Sequence, residues 1–135
     1  MGGFFPSITE VITLAEMQFM HLNLMQIFDV LRAAPFARLA VNDDQPFVTP
    51  VYFQLEVAGS EVIFHLSASA QGRKARALQH HPTACLEFEL PGCAWLDTVL
   101  ASGPVTLAPA PAGEGLLLRL HALELTGRRY FLPSD

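Results

Sequence analysis

Lysine is nearly absent from this chain. Lys74 is the only one among 8 basic residues, which stand against 13 acidic ones for a formal net charge of −5. So few cations, in an acidic chain, argue against a nucleic-acid backbone as partner, because such binding rests on neutralising phosphates. Cysteine is equally scarce. Cys85 and Cys93 are too few for a disulfide scaffold and read as reduced thiols of a cytoplasmic protein. No apolar run reaches the ~20 residues that a helix needs to cross a bilayer, so no transmembrane helix is expected. The opening 19 residues lack the basic start of a secretory signal and carry Glu10 and Glu16 inside their apolar part, which argues against a leader of that kind. The near-exclusive use of arginine, with abundant alanine, leucine and proline, suggests a bacterial source.

What the chain does have is apolar mass. Of its 135 residues 51% are hydrophobic, and mean hydropathy is +0.34. That length fits one domain, and one domain of this size buries only about two-thirds of its unfolded surface. With a membrane span set aside, the surplus calls for a subunit interface, a bound ligand or both.

Along the chain, residues 1–19 are apolar but aperiodic and read as an N-terminal arm or leader, with the domain proper at 20–135. The alternative is that Phe4, Phe5, Ile8, Val11, Ile12 and Leu14 cover an apolar surface of the folded unit. From Met20 the spacing of Leu24, Ile27, Phe28 and Leu31 predicts an amphipathic helix, stopped by Pro35. Strand signals follow at 36–41, 47–57, 61–66, 83–90 and 95–107. Pro50 lies inside the second of these and predicts an edge or a bulge there. Gly103-Pro104 marks a bulge or kink in the fifth. In the fourth, Ala84, Leu86, Phe88 and Leu90 alternate with Cys85, Glu87 and Glu89, a period of two. A short helix occupies 71–80, and 108–115 is a loop. Residues 116–125 fit a strand or a helix; a strand is preferred because it closes an open edge. The sum is a mainly β domain of five or six antiparallel strands, with one helix in front and one short helix between strands three and four. Such a chain makes a small barrel.

The most informative stretch is 63–78. A strand ends in IFHLS, a Ser/Ala connection follows, and GRKARAL opens a helix. A helix start presents unpaired N–H groups and favours a negative charge. Arg73 and Lys74 sit at that start, where they oppose the dipole unless an anion lies between them. Ser67 and Ser69 could add hydroxyl donors. The competing reading is a solvated basic helix start that binds nothing. His65 either faces a ligand or bonds backbone as a core histidine, and Trp95 is either core or a cofactor stack. His80-His81 at a helix end, and Cys85 and Cys93 with no second pair, do not make a metal site.

The order of these pieces resembles the FMN-binding split barrels. The similarity lies in ARLAV at 37–41, the proline in FVTPVYF at 47–53, IFH at 63–65, GRKARAL at 72–78, HPTACLEFE at 81–89, WLDTVLASGPV at 95–105 and LELTGRRYF at 123–131. It is nearest to the pyridoxamine-5′-phosphate-oxidase-like branch that includes the nitroimidazole-resistance proteins. The resemblance implies a six-stranded antiparallel split β-barrel that pairs with a second copy and holds FMN in the groove between them. It assigns the phosphate to Arg73 and Lys74 with Ser67 or Ser69, because the link from His65 to Gly72 is longer than usual in that branch. Thr49, Pro50, Val51 and Tyr52 would line the flavin edge, and Phe64, His65 and Leu66 would sit near the ring. Trp95, Thr98 and Val99 would come from the second copy. The connection at 108–115 is short where such proteins often carry a helix. The implied function is a flavin-dependent oxidoreductase of pyridoxamine-phosphate-oxidase or nitroreductase type acting on a small molecule. The alternative is a non-catalytic flavin- or haem-binding dimeric module, or a dimer with no ligand.

Overall fold

In the computed structural model, residues 17–111 and 113–133 are described. The expected arm therefore falls largely outside the described residues. The elements run β1 (Phe19–His21), α1 (Leu24–Ala33), β2 (Ala37–Val41), β3 (Phe47–Val51), β4 (Gln54–Ala58), β5 (Glu61–Ala68), α2 (Arg73–His80), β6 (Thr83–Pro91), β7 (Trp95–Pro109), β8 (Leu116–His121) and β9 (Glu124–Phe131). All strand pairs are antiparallel. The architecture is the mainly β split barrel that the sequence implies.

Strand β7 joins the two halves. Its first part pairs with β6 on one side and β9 on the other, in a sheet ordered β3-β2-β6-β7-β9-β1. From Val105 onward it pairs with β8, in a second sheet ordered β7-β8-β5-β4. The change of sheet occurs at Gly103-Pro104, the expected kink. Only glycine fits at 103, because a Cβ there would run into the His121 carbonyl oxygen.

The six expected strand runs resolve into nine strands for stated reasons. The run 47–57 breaks at Tyr52-Phe53, where the chain leaves the first sheet for the second: Phe47–Val51 pairs with β2, and Gln54–Ala58 with β5. Pro50, without an N–H, lies on the edge strand β3 opposite Arg38, as its chemistry requires. The run from 116 onward is extended, not helical, and breaks at Ala122-Leu123 where the chain crosses back. The additional strand β1 pairs Phe19 with Tyr130 and His21 with Arg128. The first helix starts at Leu24, not Met20, because Asn23 caps it. The Gln26 amide donates to Asn23 Oδ1 at 2.9 Å, and the Asn23 amide donates to Gln26 Oε1 at 2.9 Å, a reciprocal capping box.

The core lies between the sheets. Phe53, Phe64 and Phe88 pack edge-on or tilted with ring centres 4.9–6.0 Å apart, a spacing favoured by aromatic quadrupoles. Leu39, Leu86, Val99, Ala101, Leu118 and Leu120 are fully buried around them. Helix α1 buries Ile27, Val30 and Leu31. It comes close to β9 because Gly127 has no side chain: a Cβ there would lie 2.8 Å from Ile27 Cγ1. Among the described residues no helix is long and apolar enough to cross a membrane.

Candidate functional site

The end of β5, the turn that follows it and the start of α2 form one corner of the molecule. Gly72 caps α2 without any side-chain hydrogen bond, and no acidic residue occupies the first turn. In contrast to α1, the first N–H groups of α2 have no side-chain partner. Three adjoining depressions meet at this corner. The largest, about 790 Å³, is bounded by Ser67–Gln71, Lys74, Ala110 and Glu114–Leu116. A second, about 380 Å³, is walled by Phe36, Pro50, Val51, Tyr52, Ser67 and Lys74. A third, about 330 Å³, runs along Tyr52–Gln54, His65–Ser67 and Leu117. Ser67 belongs to all three, Lys74 to the first two, and Tyr52 to the last two.

Lys74 is half-buried at the meeting point and makes no ion pair among the described residues. A partly desolvated ammonium is costly unless an anion reaches it. Arg73 is turned away. Its Nε donates to Asp43 Oδ2 at 2.8 Å, its Nη2 donates to the Gln45 carbonyl at 3.3 Å, and its guanidinium stacks 4.0 Å from the centre of the Phe47 ring. That hydrogen bond, with the Asp44 amide, holds the Asp43 carboxyl below its ordinary value. Neighbouring positions on a helix do not share a face, so the two cations read together in the sequence serve different surfaces.

The other expected residues fall into those that line the depressions and those that do not. Pro50, Val51, Tyr52, His65, Leu66, Ser67, Ser69 and Lys74 line the joined depressions. Thr49 does not line them; it pairs with Leu39 in β3. Phe64 and Val99 are fully buried in the core and present nothing to the groove. Trp95 lies under Arg129, with the guanidinium 4.6 Å from its ring centre. Thr98 is half-buried between Glu89 and Arg128 on the outward side of the first sheet. His65 is partly exposed on β5 and bonds a side chain rather than backbone: Nε2 donates to Glu56 Oε1 at 2.6 Å, since a carboxylate can only accept. Arg119 lies 4.0 Å from the same oxygen.

Sequence reasoning missed Phe36, Ala110 and Glu114 as site residues. The glycines around Glu114 were the available signal: Gly113 and Gly115 have φ of 124° and 112°, and the turn they make brings residue 114 back to the end of β5. A separate feature is a pin at the β6–β7 end. Asp97, the one buried charged residue among those described, accepts from Arg129 Nε at 2.8 Å and Nη2 at 3.0 Å. On the outer face of the first sheet, Arg38 reaches both Glu87 and Glu89 at 3.2 Å. Burial, then the charge of Glu89, pushes the Glu87 carboxyl up.

Comparison with known proteins agrees with this architecture. The family model described as pyridoxamine 5′-phosphate oxidase matches residues 25–106, more than half of the chain, and the chain belongs to that family. No curated protein matches it. Among solved structures, a candidate 5-nitroimidazole antibiotic resistance protein of Bacteroides thetaiotaomicron superposes with a TM-score of 0.75 at 15% identity, covering 90% of this chain and 93% of that one. A FAD-binding protein of Mesorhizobium loti gives 0.68 at 19% identity, covering 89% and 100%. The FAD-binding protein of Mycobacterium smegmatis gives 0.70 at 12% identity, covering 84% and 100%. At these identities the likeness is one of fold.

Proposed function

We propose that this protein binds FMN at the corner built by β3, β5 and α2, as a homodimer, and serves as a flavin-dependent oxidoreductase for a small molecule. The observation that carries the reading is Lys74, half-buried where the depressions meet and without an ion-pair partner among the described residues. The residues present fit the group. Lys74 and the uncapped amides of α2 suit a phosphate, while Phe36, Pro50, Val51 and Tyr52 offer an apolar wall for a planar ring. Bound flavin would supply the redox chemistry, and the protein its position and electrostatics. Around it, Tyr52 and Leu66 line one side of the groove, and Glu56 fixes the His65 ring so that its Nε2 proton points to the carboxylate.

Apolar side chains left in solvent support the dimer. Tyr52 at the groove is 84% exposed, and Val48 and Leu100 on the outer face of the first sheet are 59% and 47% exposed. A second copy laid on that face would cover them, and Thr98 is the member of the expected Trp95, Thr98 and Val99 set that this face offers. Family membership and the flavin-binding descriptions of two structural relatives support the cofactor class. Titration with FMN, followed by flavin fluorescence, tests the binding. Light scattering tests the assembly, with about twice the monomer mass of 14.8 kDa expected. A monodisperse monomer in the presence of FMN would overturn the dimer, and an unchanged fluorescence signal would overturn the binding.

A further inference from the structure

Strand register fixes the outward rows of the first sheet. Glu89, Thr98 and Arg128 form one row across β6, β7 and β9, and Glu87, Leu100 and Thr126 form the next. Beyond β6, Arg38 of β2 lies opposite Glu87. Charge is divided across this face. On the β2–β6 flank one guanidinium serves two carboxylates, Arg38 reaching Glu87 and Glu89 at 3.2 Å each, so a negative charge is left over. On the β9 flank Arg128 is exposed and pairs with no carboxylate among the described residues. Its Nη1 donates to the Tyr130 hydroxyl at 3.3 Å, and its guanidinium lies 4.3 Å from the centre of the Phe19 ring. Between the flanks Leu100 stands 47% exposed.

We propose that this face docks on a second copy of itself about a two-fold axis running along β7, so that Glu89 of each copy receives Arg128 of the other. The pairing rests on the homodimer read above and needs no flavin. Rotation about such an axis carries each β9 position onto the β6 position of the same row. Neighbouring strands lie ~4.8 Å apart and facing sheets ~10 Å apart, so side chains as long as arginine and glutamate meet across the seam. Glu89 and Arg128 each lie one strand from the axis, where the twist between facing sheets displaces them least. Leu100 meets its own counterpart and leaves solvent. Glu87 faces Thr126, whose hydroxyl can donate to it. Glu124, the remaining carboxylate on the β9 flank, faces Cys85, since both lie in the row of Ser102. Burial pushes the Cys85 thiol up, so it stays neutral and no like charges are opposed.

A second copy suits the face better than a partner of one charge sign. A uniformly cationic surface would oppose Arg128, and a uniformly anionic one would oppose Glu87 and Glu89. A surface with the two signs in exchanged order satisfies both flanks. A two-fold copy is such a surface by construction, and it forms the contact twice per dimer. Arg38 stays with its two carboxylates, so each cluster gains the second cation it lacks.

The test is sedimentation velocity of the full chain over a dilution series, on the wild type, Glu89→Arg, Arg128→Glu and the two combined. Each single reversal sets like charges together twice per dimer and should weaken dimerisation at least about tenfold. The combined exchange restores opposite signs and should return to within about threefold of the wild type. Should reversal at 128 unseat β1, Glu89→Gln and Arg128→Gln read the same coupling. If the two residues meet, the double glutamine variant loses little more than either single; additive losses would overturn the pairing. Single reversals that assemble as the wild type does, or a combined exchange no stronger than the singles, would also overturn the pairing and leave the homodimer standing. A wild type that stays monomeric throughout would overturn the homodimer as well.

Discussion

Replacing Lys74 and Arg73 separately by alanine distinguishes two cations that are adjacent in sequence and divergent in space. Lys74 borders both larger depressions, and a charged hydrogen bond to phosphate is worth about 1.5–3 kcal/mol. Lys74→Ala should therefore weaken FMN binding roughly 10- to 150-fold, at one decade per ~1.4 kcal/mol. Arg73 is occupied by Asp43, Gln45 and the Phe47 ring. Arg73→Ala should leave the FMN affinity within about threefold and lower the melting temperature slightly, since it unties α2 from the β2–β3 turn. Calorimetric titration with FMN, paired with thermal melts of each variant, reads both effects. An affinity loss for Arg73→Ala equal to or larger than that for Lys74→Ala would refute the reasoning, because it would mean that the guanidinium leaves Asp43 to hold the ligand.

Other consequences follow from single contacts. Asp97→Ala strands Arg129 over Trp95 and should lower the melting temperature by about 5–10 °C without changing FMN affinity; an unchanged melt would show that the pin contributes nothing. Gly103→Ala drives a methyl into the His121 carbonyl and should cost about 1–3 kcal/mol by urea unfolding. Because the Asp43 carboxyl is held below its ordinary value by Arg73, it adds stability above that value and loses it as pH falls through the lower folded value. Asp43→Asn should flatten the acid limb of the melting temperature below about pH 4; an identical limb in both proteins would contradict the bond.

Much of this was legible along the chain, and the gaps have physical causes. The alternation of Ala84, Leu86 and Phe88 with Cys85 and Glu87 set the inward face of β6, and all three apolar residues are buried. Pro82 and the GRKARAL segment bounded α2 to within two residues. The break at Tyr52-Phe53 was not legible, because the residue types stay β-branched and aromatic through the crossing and only the partners change. The fate of Arg73 depends on Asp43, 30 residues away in the chain, which no local pattern reports. Phe64 could have been separated from His65, since consecutive strand residues face opposite sides. Glu114 lay in a loop without periodicity, and only the left-handed glycines beside it marked a turn that returns to the sheet.

The most direct test of the central claim is the absorbance spectrum of the purified protein, taken alongside that of Lys74→Ala prepared identically. The wild type should show the two-banded spectrum of oxidised flavin, or acquire it stoichiometrically after incubation with flavin and removal of the excess, and the variant should retain much less. A wild-type spectrum with no flavin bands before or after incubation, or equal retention by the variant, would contradict a flavin site centred on Lys74.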